Sequence, residues 1–490
     1  MTSEPAQEKP SGLWTRIDSV MLAAITVLAA ALRGAGLSRP SGLVFDEFYY
    51  GPDACRYVRE SADLCGFGEL TYFHPPLGKW LISFGIQMFG PNRLGWRSPT
   101  VVFGTLTCVV VYLLGRRLLR STVGASIASG LLAIDFLHLV HSRLAMLDLY
   151  MVFFGVLAVL FAVYDWDDDR ITFFRPWRLA AGLAGGAAVA CKWSGLSLLA
   201  VAIVVAFVAD RSRKGAERPR TGSSIVSLGV WLVLVPLALY ALTHVGRVEG
   251  SLLTLPWSEG AWLRNFALRQ ADSVAYQSAL AEILKGVTHP YSSPTWAWIF
   301  LKRPVAYYFV VLSTGEYEEI MAFGSPLVWW TSVPALVFAA WRWIKERDLA
   351  QGIILGGFLA CVMPWFVLAA GRPDPYIFYL LPAVPFMCLA LGYIAVRWWP
   401  KRVGRAMTLG YVTLAAALLA FFYPVLTARP LTPEGWRARM LFTACRYEET
   451  QTLGQELRRA GLPIRTTNEA PIPPRAIIPN QTRATGWCWI

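Results

Sequence analysis

Residues 145–164 read Ala-Met-Leu-Asp-Leu-Tyr-Met-Val-Phe-Phe-Gly-Val-Leu-Ala-Val-Leu-Phe-Ala-Val-Tyr, an apolar run with a single charge. About 20 apolar residues span the hydrocarbon of a bilayer as an α-helix. Similar runs cover residues 18–38, 97–114, 122–137, 179–191, 196–209, 225–243, 326–341, 350–370, 376–396 and 406–424. The sequence therefore predicts an all-α polytopic membrane protein with about eleven transmembrane helices.

The composition agrees with a bilayer as the solvent. Of 490 residues, 55% are hydrophobic and 16% are charged, whereas a soluble domain carries about 25% charged residues. The net charge of +13 would suggest nucleic acid as a partner of a soluble protein. Here the basic residues cluster in short connectors between apolar runs, so we expect membrane lipid as the partner and no nucleic acid.

The basic connectors predict the orientation. They alternate along the chain and hold Arg116, Arg117 and Arg120; Arg170, Arg175 and Arg178; Arg211, Arg213, Lys214, Arg218 and Arg220; Arg342, Lys345 and Arg347; and Arg397, Lys401, Arg402 and Arg405. By the positive-inside rule these connectors are cytoplasmic. The N-terminus is then inside and the C-terminus outside, in a multi-pass protein of the plasma membrane.

This orientation divides the chain into three parts. We expect a disordered cytoplasmic N-terminus at 1–17, a transmembrane domain at 18–424 and an extracytoplasmic segment at 425–490. Long outer loops fall at 39–96 and 244–325, and the second contains an amphipathic stretch from Trp262 to Leu284 that could lie along the interface. All five histidines fall in or beside outer segments, which predicts a reactive surface on the extracytoplasmic side.

The first outer loop carries an acidic pair, Asp46-Glu47, set among aromatic residues directly after the first span. Neighbours in an extended segment point opposite ways, so the two carboxylates should have separate roles. Desolvation at a membrane edge would raise a carboxyl pKa and make a better base. The alternative is that both acids are merely solvated.

The same loop offers cations. In His74-Pro-Pro-Leu-Gly-Lys79 the prolines predict a stiff turn that places Lys79 about one turn into a helix. Arg97 opens the next span from the same side. A lysine and an arginine at one interface suit an anionic lipid headgroup; the alternative is interfacial snorkelling.

Further ionisable residues lie at outer turns. Asp148 begins to enter a span, which is costly for a carboxylate unless it is paired or functional, and Arg143 is a candidate partner. Lys192 lies at another outer turn. Asp135, His138 and His141 could form a metal-binding helix face, but a hydrogen-bonded helix end explains the loose spacing better, and no metal is expected. If the first loop is extracytoplasmic, Cys55 and Cys65 could form a disulfide. Cys445 and Cys488 are a weaker candidate pair.

Several of these motifs together resemble the protein O-mannosyltransferases of the prokaryotic type, members of the GT-C glycosyltransferase superfamily. The resemblance covers most of residues 15–445. It rests on Phe45-Asp46-Glu47, His74-Pro-Pro-Leu-Gly-Lys79, Trp96-Arg97, Arg143-Leu-Ala-Met-Leu-Asp148, Lys192-Trp-Ser-Gly195 and Gly324-Ser-Pro-Leu-Val-Trp-Trp330.

The resemblance implies transfer of mannose from polyprenyl-phosphate-mannose to Ser/Thr hydroxyls of secreted proteins, with inversion and without a divalent metal cofactor. Asp46 would be the catalytic base, and Glu47 would hold acceptor or sugar. The donor phosphate would be bound by Lys79, Arg97 and Arg143. His74, Asp148, Lys192 and Tyr379 would support the site or the substrate. The protein export machinery is a candidate partner.

The chain departs from the family pattern at two places, and two other functions stay open. Ser325 stands where the family often has Asn, and Ile377-Phe378-Tyr379 stands where it often has Tyr-His-Tyr. A GT-C enzyme with another lipid-linked sugar, or with a lipid or glycan acceptor, would look alike, and an acceptor screen separates them. A lipid or sugar transporter would place its charges near the bilayer midplane on interrupted helices, often in repeated halves. Here the charges cluster at outer helix ends.

Overall fold

The computed structural model describes residues 14–58, 74–168, 172–212, 221–244, 262–283, 291–368, 375–443, 446–449 and 482–485, and Trp489. The α-helices in these segments are α1 Arg16–Gly34, α2 Glu47–Arg56, α3 Leu77–Phe89, α4 Arg93–Leu119, α5 Thr122–Ala133, α6 Phe136–His141, α7 Leu147–Asp167, α8 Pro176–Cys191, α9 Leu196–Ser212, α10 Thr221–Gly229, α11 Val235–Thr243, α12 Trp262–Ile283, α13 Thr295–Trp298, α14 Pro326–Glu346, α15 Leu349–Leu368, α16 Val384–Trp398, α17 Arg402–Leu426 and α18 Pro433–Arg437. The strands are β1 Val305–Val311, β2 Tyr317–Ala322, β3 Arg446–Glu449 and β4 Thr482–Thr485.

The predicted helical membrane fold is confirmed. Within the described residues, nine helices are long and apolar enough to cross a bilayer. The two remaining predicted runs fall on α5 with α6 and on α8, which are shorter. The count of eleven spans and the orientation stay predictions. Trp262 to Leu284 was predicted as one amphipathic stretch, and α12 covers it almost completely.

The first helix begins earlier than expected. Residues 1–17 were predicted to be disordered, and 1–13 lie outside the described residues, but α1 begins at Arg16. Thr15 and Asp18 form a capping box that satisfies free N–H groups of the first turn. Asp18 also binds Arg116 at 2.7 Å, so a polar segment is structured by its own cap and by a buried ion pair.

The core of the bundle is formed by α7 and by residues Ile377–Trp398, in which a 3-10 segment, Ile377–Ala383, leads into α16. The most apolar windows of these two spans are 78% and 83% buried, whereas that of α1 is 17% buried. The outer helices therefore face lipid, and the inner two carry residues packed on all sides.

One helix contact depends on small residues. Gly182 and Gly186 lie one turn apart on α8, against the π-helical segment Val230–Leu234 and Pro236. A Cβ on Gly182 would lie 1.8 Å from the Trp231 carbonyl oxygen, and one on Gly186 2.7 Å from the Pro236 Cα. Small residues at this spacing let two membrane helices approach closely, so this pair fixes α11 against α8.

Two small antiparallel hairpins were not predicted. Strand β1 pairs with β2, and the register shifts between Ala306 and Tyr308, which leaves Tyr307 as a bulge. Strand β3 pairs with β4. The β1–β2 hairpin lies between α13 and α14, in the predicted second outer loop, and β2 packs on α17.

Candidate active site

Asp46 lies at the N-terminus of α2, where the first loop turns into a helix. Its side chain is partly accessible, and its Oδ2 accepts a hydrogen bond from the Tyr50 hydroxyl at 3.2 Å. Burial raises the pKa of Asp46 to about 6; the Lys192 ammonium opposes this rise and the Asp148 carboxylate adds to it. Asp46 is thus a carboxylate that a ligand can reach and that is poised to accept a proton near neutral pH.

The residue before Asp46 has a strained backbone. Phe45 has φ +48°, in the left-handed region that non-glycine residues rarely adopt. Its ring stacks on Tyr307 with centroids 4.0 Å apart and meets the edge of Phe378 at 5.7 Å. Such strain persists where surrounding structure holds it and is common at functional sites. Here the aromatic contacts fix the direction in which Asp46 points.

Glu47 is fully buried and holds the loop in place. Its carboxylate accepts hydrogen bonds from the backbone N–H groups of Val44 at 3.0 Å and Ala145 at 2.9 Å. Arg97, also fully buried, donates to it from Nε at 2.9 Å and from Nη2 at 2.7 Å. The two neighbouring acids have different partners, and Glu47 joins the loop to the bundle. Their separate roles, and the contact of Glu47 with acceptor or sugar, stay predictions.

Arg97 and Arg143 bind backbone carbonyls around the end of α1. Arg97 donates to the carbonyl oxygens of Leu37, Pro40 and Gly42 at 2.8–3.2 Å. Arg143 donates to those of Leu32, Arg33, Ala35 and Gly36 at 2.7–3.2 Å. The last carbonyls of a helix lack intrahelical partners, so Arg143 caps α1. Phosphate contacts by these two arginines stay predictions, whereas their loop contacts are present in the structure.

Lys192 is paired with Asp148. Its ammonium lies 2.8 and 2.9 Å from the two carboxylate oxygens, so the expected pairing of Asp148 with Arg143 is wrong. The cause is geometric, because Asp148 in the first turn of α7 faces the end of α8 while Arg143 turns back to α1. Burial alone would lower the pKa of Lys192, but Asp148 together with Tyr379 and Asp46 outweighs burial, and the net shift of the pKa is upward. Lys192 is therefore charged.

Lys79 lies in the first turn of α3, as predicted, and binds Asp53 of α2 at 2.8 Å. Both side chains are nearly fully buried. His74 lies beside α2, with its ring 6.0 Å from that of Tyr50. Lys79 and Arg97 were predicted to bind the donor phosphate, and this role stays a prediction. In the structure Lys79 pairs with Asp53 and Arg97 with Glu47.

Three residues, Tyr50, His141 and Tyr307, were not predicted from the sequence to belong to the same site as Asp46. Tyr50 lies one helical turn after Asp46, a spacing at which side chains meet, so this contact had a detectable signal. The Tyr307 hydroxyl lies 2.9 Å from His141 Nε2, and both side chains are buried. Tyr307 lies in a hairpin far along the chain, and only the fold brings it to the site.

Tyr379 completes the cluster. The Lys192 ammonium lies 5.8 Å above its ring, and the ring stacks on Trp365 at 4.3 Å, with an angle of 2° between the planes. Tyr379 is partly accessible, like Asp46 and Lys192. These three side chains therefore form the accessible part of a site whose other members are mostly buried.

The residues Asp135, His138 and His141 do not converge. Asp135 caps α6 by accepting from His138 N–H at 3.0 Å and also accepts from the Trp329 indole at 2.9 Å. His138 Nδ1 lies 2.9 Å from Arg33, and His141 faces Tyr307. No group of three metal-binding side chains occurs in the described segments. The hydrogen-bonded helix end is the observed arrangement.

Cys55 is disulfide-bonded. Its predicted partner, Cys65, lies outside the described residues, and so do Cys445 and Cys488.

Two family models match the chain. The model described as "Dolichyl-phosphate-mannose-protein mannosyltransferase" matches residues 23–247, and that described as "C-terminal four TMM region of protein-O-mannosyltransferase" matches residues 262–445. A protein named "Polyprenol-phosphate-mannose--protein mannosyltransferase" from Mycolicibacterium smegmatis is 31% identical over 86% of this chain and 91% of its own length. A protein of the same name from Mycobacterium tuberculosis is 30% identical over 84% of this chain and 89% of its own length.

A solved structure shows the same fold. The protein O-mannosyltransferase complex of S. cerevisiae bound to its sugar donor superposes with a TM-score of 0.69, covering 88% of this chain and 92% of the matched chain at 14% identity. The similarity to both mycobacterial proteins extends across nearly the whole length of this chain. The chain therefore belongs to the protein O-mannosyltransferase family and has the GT-C fold.

Proposed function

We propose that the protein transfers mannose from a polyprenyl-phosphate-mannose donor to a Ser or Thr hydroxyl of a secreted protein, with Asp46 as the base. The setting of Asp46 carries the proposal: its carboxylate is partly accessible and has a raised pKa, and it is close enough to the charged Lys192 for that charge to act on it. An alcohol needs a base as it attacks, and a departing phosphate needs a fixed cation.

The reaction is a single displacement. As the acceptor oxygen forms its bond to the anomeric carbon of mannose, the hydroxyl proton passes to the Asp46 carboxylate. The bond between that carbon and the phosphate oxygen breaks, and its electron pair leaves with the polyprenyl phosphate. Attack opposite the leaving group inverts the anomeric centre. Because the pKa of Asp46 is about 6, the proton is then released to water at neutral pH.

We assign Lys192 to the departing phosphate. Its positive charge lowers the pKa of Asp46, and its side chain is 13% exposed. Asp148 holds the ammonium by two hydrogen bonds, which fixes it in place before the donor binds. Arg97 and Arg143 support the site by shaping the loop that carries Asp46, and Lys79 does so by joining α2 to α3.

The test is incubation of the purified protein with polyprenyl-phosphomannose and a Ser/Thr-rich peptide. We expect a hexose on the peptide by mass spectrometry and an inverted anomeric configuration by NMR. Parallel reactions with another lipid-linked sugar, and with lipid in place of peptide, separate related GT-C activities. Mannose transfer to lipid alone, or turnover only with another sugar, would overturn the proposal.

The proposal also places the site on the extracytoplasmic side of the plasma membrane. Glu434 and Glu346 are exposed and lie beyond opposite ends of the bundle, after the end of α17 and at the end of α14. A membrane-impermeant maleimide should label Glu434→Cys in intact cells and Glu346→Cys only after lysis, each compared with the parent chain. The reverse pattern would put Asp46 in the cytosol and exclude this function.

A further inference from the structure

Trp489 is buried inside the protein, with 1% of its surface exposed. Its ring packs against Phe323 with centroids 4.8 Å apart and against Phe442 at 5.4 Å. A third contact, at 6.1 Å, is with Phe422 of α17. A tryptophan buried among aromatic rings contributes a large apolar contact area and a directional N–H group. Neither the sequence motifs nor the proposed reaction accounts for it.

Two hydrogen bonds fix the position of Trp489. Its backbone N–H donates to the carbonyl oxygen of Phe442 at 2.8 Å, and this pair falls in the register of β3 with β4, in which Arg446 faces Thr485. Its indole N–H donates to the carbonyl oxygen of Leu301 at 2.7 Å. Trp489 is thus held at its backbone by Phe442 and at its side chain by Leu301.

The acceptor lies in a strained turn. Leu301 is fully buried and has φ +57°, which is uncommon for a residue with a side chain. Strand β1 begins four residues later, at Val305. A buried carbonyl without a donor is costly, so the Trp489 indole stabilises the backbone conformation from which β1 starts.

Two routes lead from Trp489 to the site. The first runs from Leu301 along β1 to the bulged Tyr307, which stacks on Phe45 next to Asp46. The second runs through Phe323, whose ring packs on Phe136 of α6 at 5.4 Å. Helix α6 ends at His141, which binds Tyr307. Both routes converge on the His141–Tyr307 pair, the part of the site that supports Phe45.

We propose that Trp489 is a positioning residue for mannosyl transfer, which holds β1 and α6 so that Tyr307 and His141 keep Phe45, and with it Asp46, in the reactive orientation. The inference rests on the proposed function, because it concerns the rate of that reaction. Small displacements of a reacting group lower the rate strongly, about 100-fold for a 1 Å shift. The effect should therefore fall on kcat and leave donor and acceptor KM nearly unchanged.

The test compares three variants of the full chain. Trp489→Phe keeps an aromatic ring and removes the donor to Leu301, and Trp489→Ala removes both. Trp341→Ala deletes an exposed tryptophan of α14 and is the control. We expect kcat to fall about 10-fold or more in Trp489→Ala, less in Trp489→Phe, and not in Trp341→Ala. Added indole, which fits the space left in Trp489→Ala, should restore part of kcat.

Hydrogen exchange separates failure of this inference from failure of the proposed function, because it needs no turnover. In Trp489→Phe the amides of β1 and α6 should exchange faster than in the parent chain, while those of α8 should not change. Wild-type kcat in Trp489→Ala, unchanged exchange in β1, or a loss of kcat matched by an equal rise in KM would each overturn the inference. If the parent chain transferred no mannose, the exchange result alone would decide whether Trp489 controls β1.

Discussion

For the single residue Asp46, burial and accessibility act together. The carboxylate lies deep enough for desolvation to raise its pKa to about 6, and yet part of its surface is open. A solvated aspartate with a pKa near 4 is a weak base, whereas one near the working pH is both mostly ionised and able to take a proton. The setting of Asp46 therefore matters as much as its identity.

Asp46→Asn keeps the shape of the side chain and removes the base. We expect kcat to fall by about 10²–10⁴-fold, with the unfolding temperature in detergent close to that of the parent chain. The measurement is peptide mannosylation by mass spectrometry. Asp272→Asn makes the same change at an exposed position of α12 and should keep full activity. An active Asp46→Asn protein would remove Asp46 from the chemistry.

The pH dependence follows from the direction of the shift. Below about pH 6 Asp46 is protonated and cannot accept the hydroxyl proton, so the rate should rise with pH through this value and level off above it. The Tyr50 hydrogen bond stabilises the ionised form. In Tyr50→Phe the midpoint of the pH–rate profile should therefore move to higher pH. In the control Tyr164→Phe, near the C-terminal end of α7 and away from the site, the midpoint should not change. A shift to lower pH in Tyr50→Phe would contradict this account of Asp46.

Among single residues, the sequence singled out candidate side chains but not all of their partners. Asp46, Lys192, Asp148 and Tyr379 were candidates, and in the structure they lie in one cluster, while their roles in a reaction stay predictions. The pairing of Asp148 with Lys192 was missed because their separation of 44 residues says nothing about proximity until α7 and α8 are packed. Tyr307 was missed for the same reason.

At the scale of elements, the first loop is tied to the bundle by Glu47 and Arg97. Arg97→Ala leaves the Glu47 carboxylate buried without its cation, and breaking such a pair costs about 3–5 kcal/mol. We expect a lower unfolding temperature together with lost activity. Arg93→Ala, four residues earlier on α4 and exposed, should change neither. If Arg97→Ala instead weakened donor binding at unchanged stability, the phosphate contact predicted from the sequence would be favoured.

Helices were easier to predict than the hairpin. Long apolar runs identify spans because the bilayer requires a fixed length. The β1–β2 hairpin also had a signal, since Val-Ala-Tyr-Tyr-Phe-Val-Val at 305–311 is rich in β-branched and aromatic residues and a glycine turn follows at Gly315. This signal was not recognised because apolar residues are common throughout the chain, so a short apolar strand does not stand out. Its bulge, which singles out Tyr307, depends on pairing that no local pattern encodes.

In the molecule as a whole, the end of the bundle opposite the site holds a buried network of ion pairs. Arg178 lies 2.9 Å from Asp165 and 2.8 Å from Asp210, and Arg175 binds the same two acids. The network joins the ends of α7 and α9 to the start of α8. Asp165 and Asp210 also neutralise the charges of Arg175 and Arg178, two of the basic residues from which the cytoplasmic side was predicted.

This network predicts a separation of stability from activity. Arg178→Met removes one cation from two buried acids and should lower the free energy of unfolding by about 3–5 kcal/mol, without changing KM or the pH midpoint. Arg117→Ala breaks a half-exposed pair with Asp167 at the same end and should cost about 0–1 kcal/mol. Detergent unfolding curves and the peptide assay measure both. Equal losses of stability would show that the burial of the Arg178 network has no special effect.

The carboxylate of Glu47 bears on how the protein is made. Its guanidinium partner follows it by 50 residues and its amide partner, Ala145, by 98. During synthesis the loop therefore leaves the translocon before Arg97 and Ala145, the two residues that bind Glu47. We expect the loop to stay exposed to water until α7 has been inserted. A nascent chain halted before Ala145 should expose this loop to external protease, and one halted after α7 should protect it.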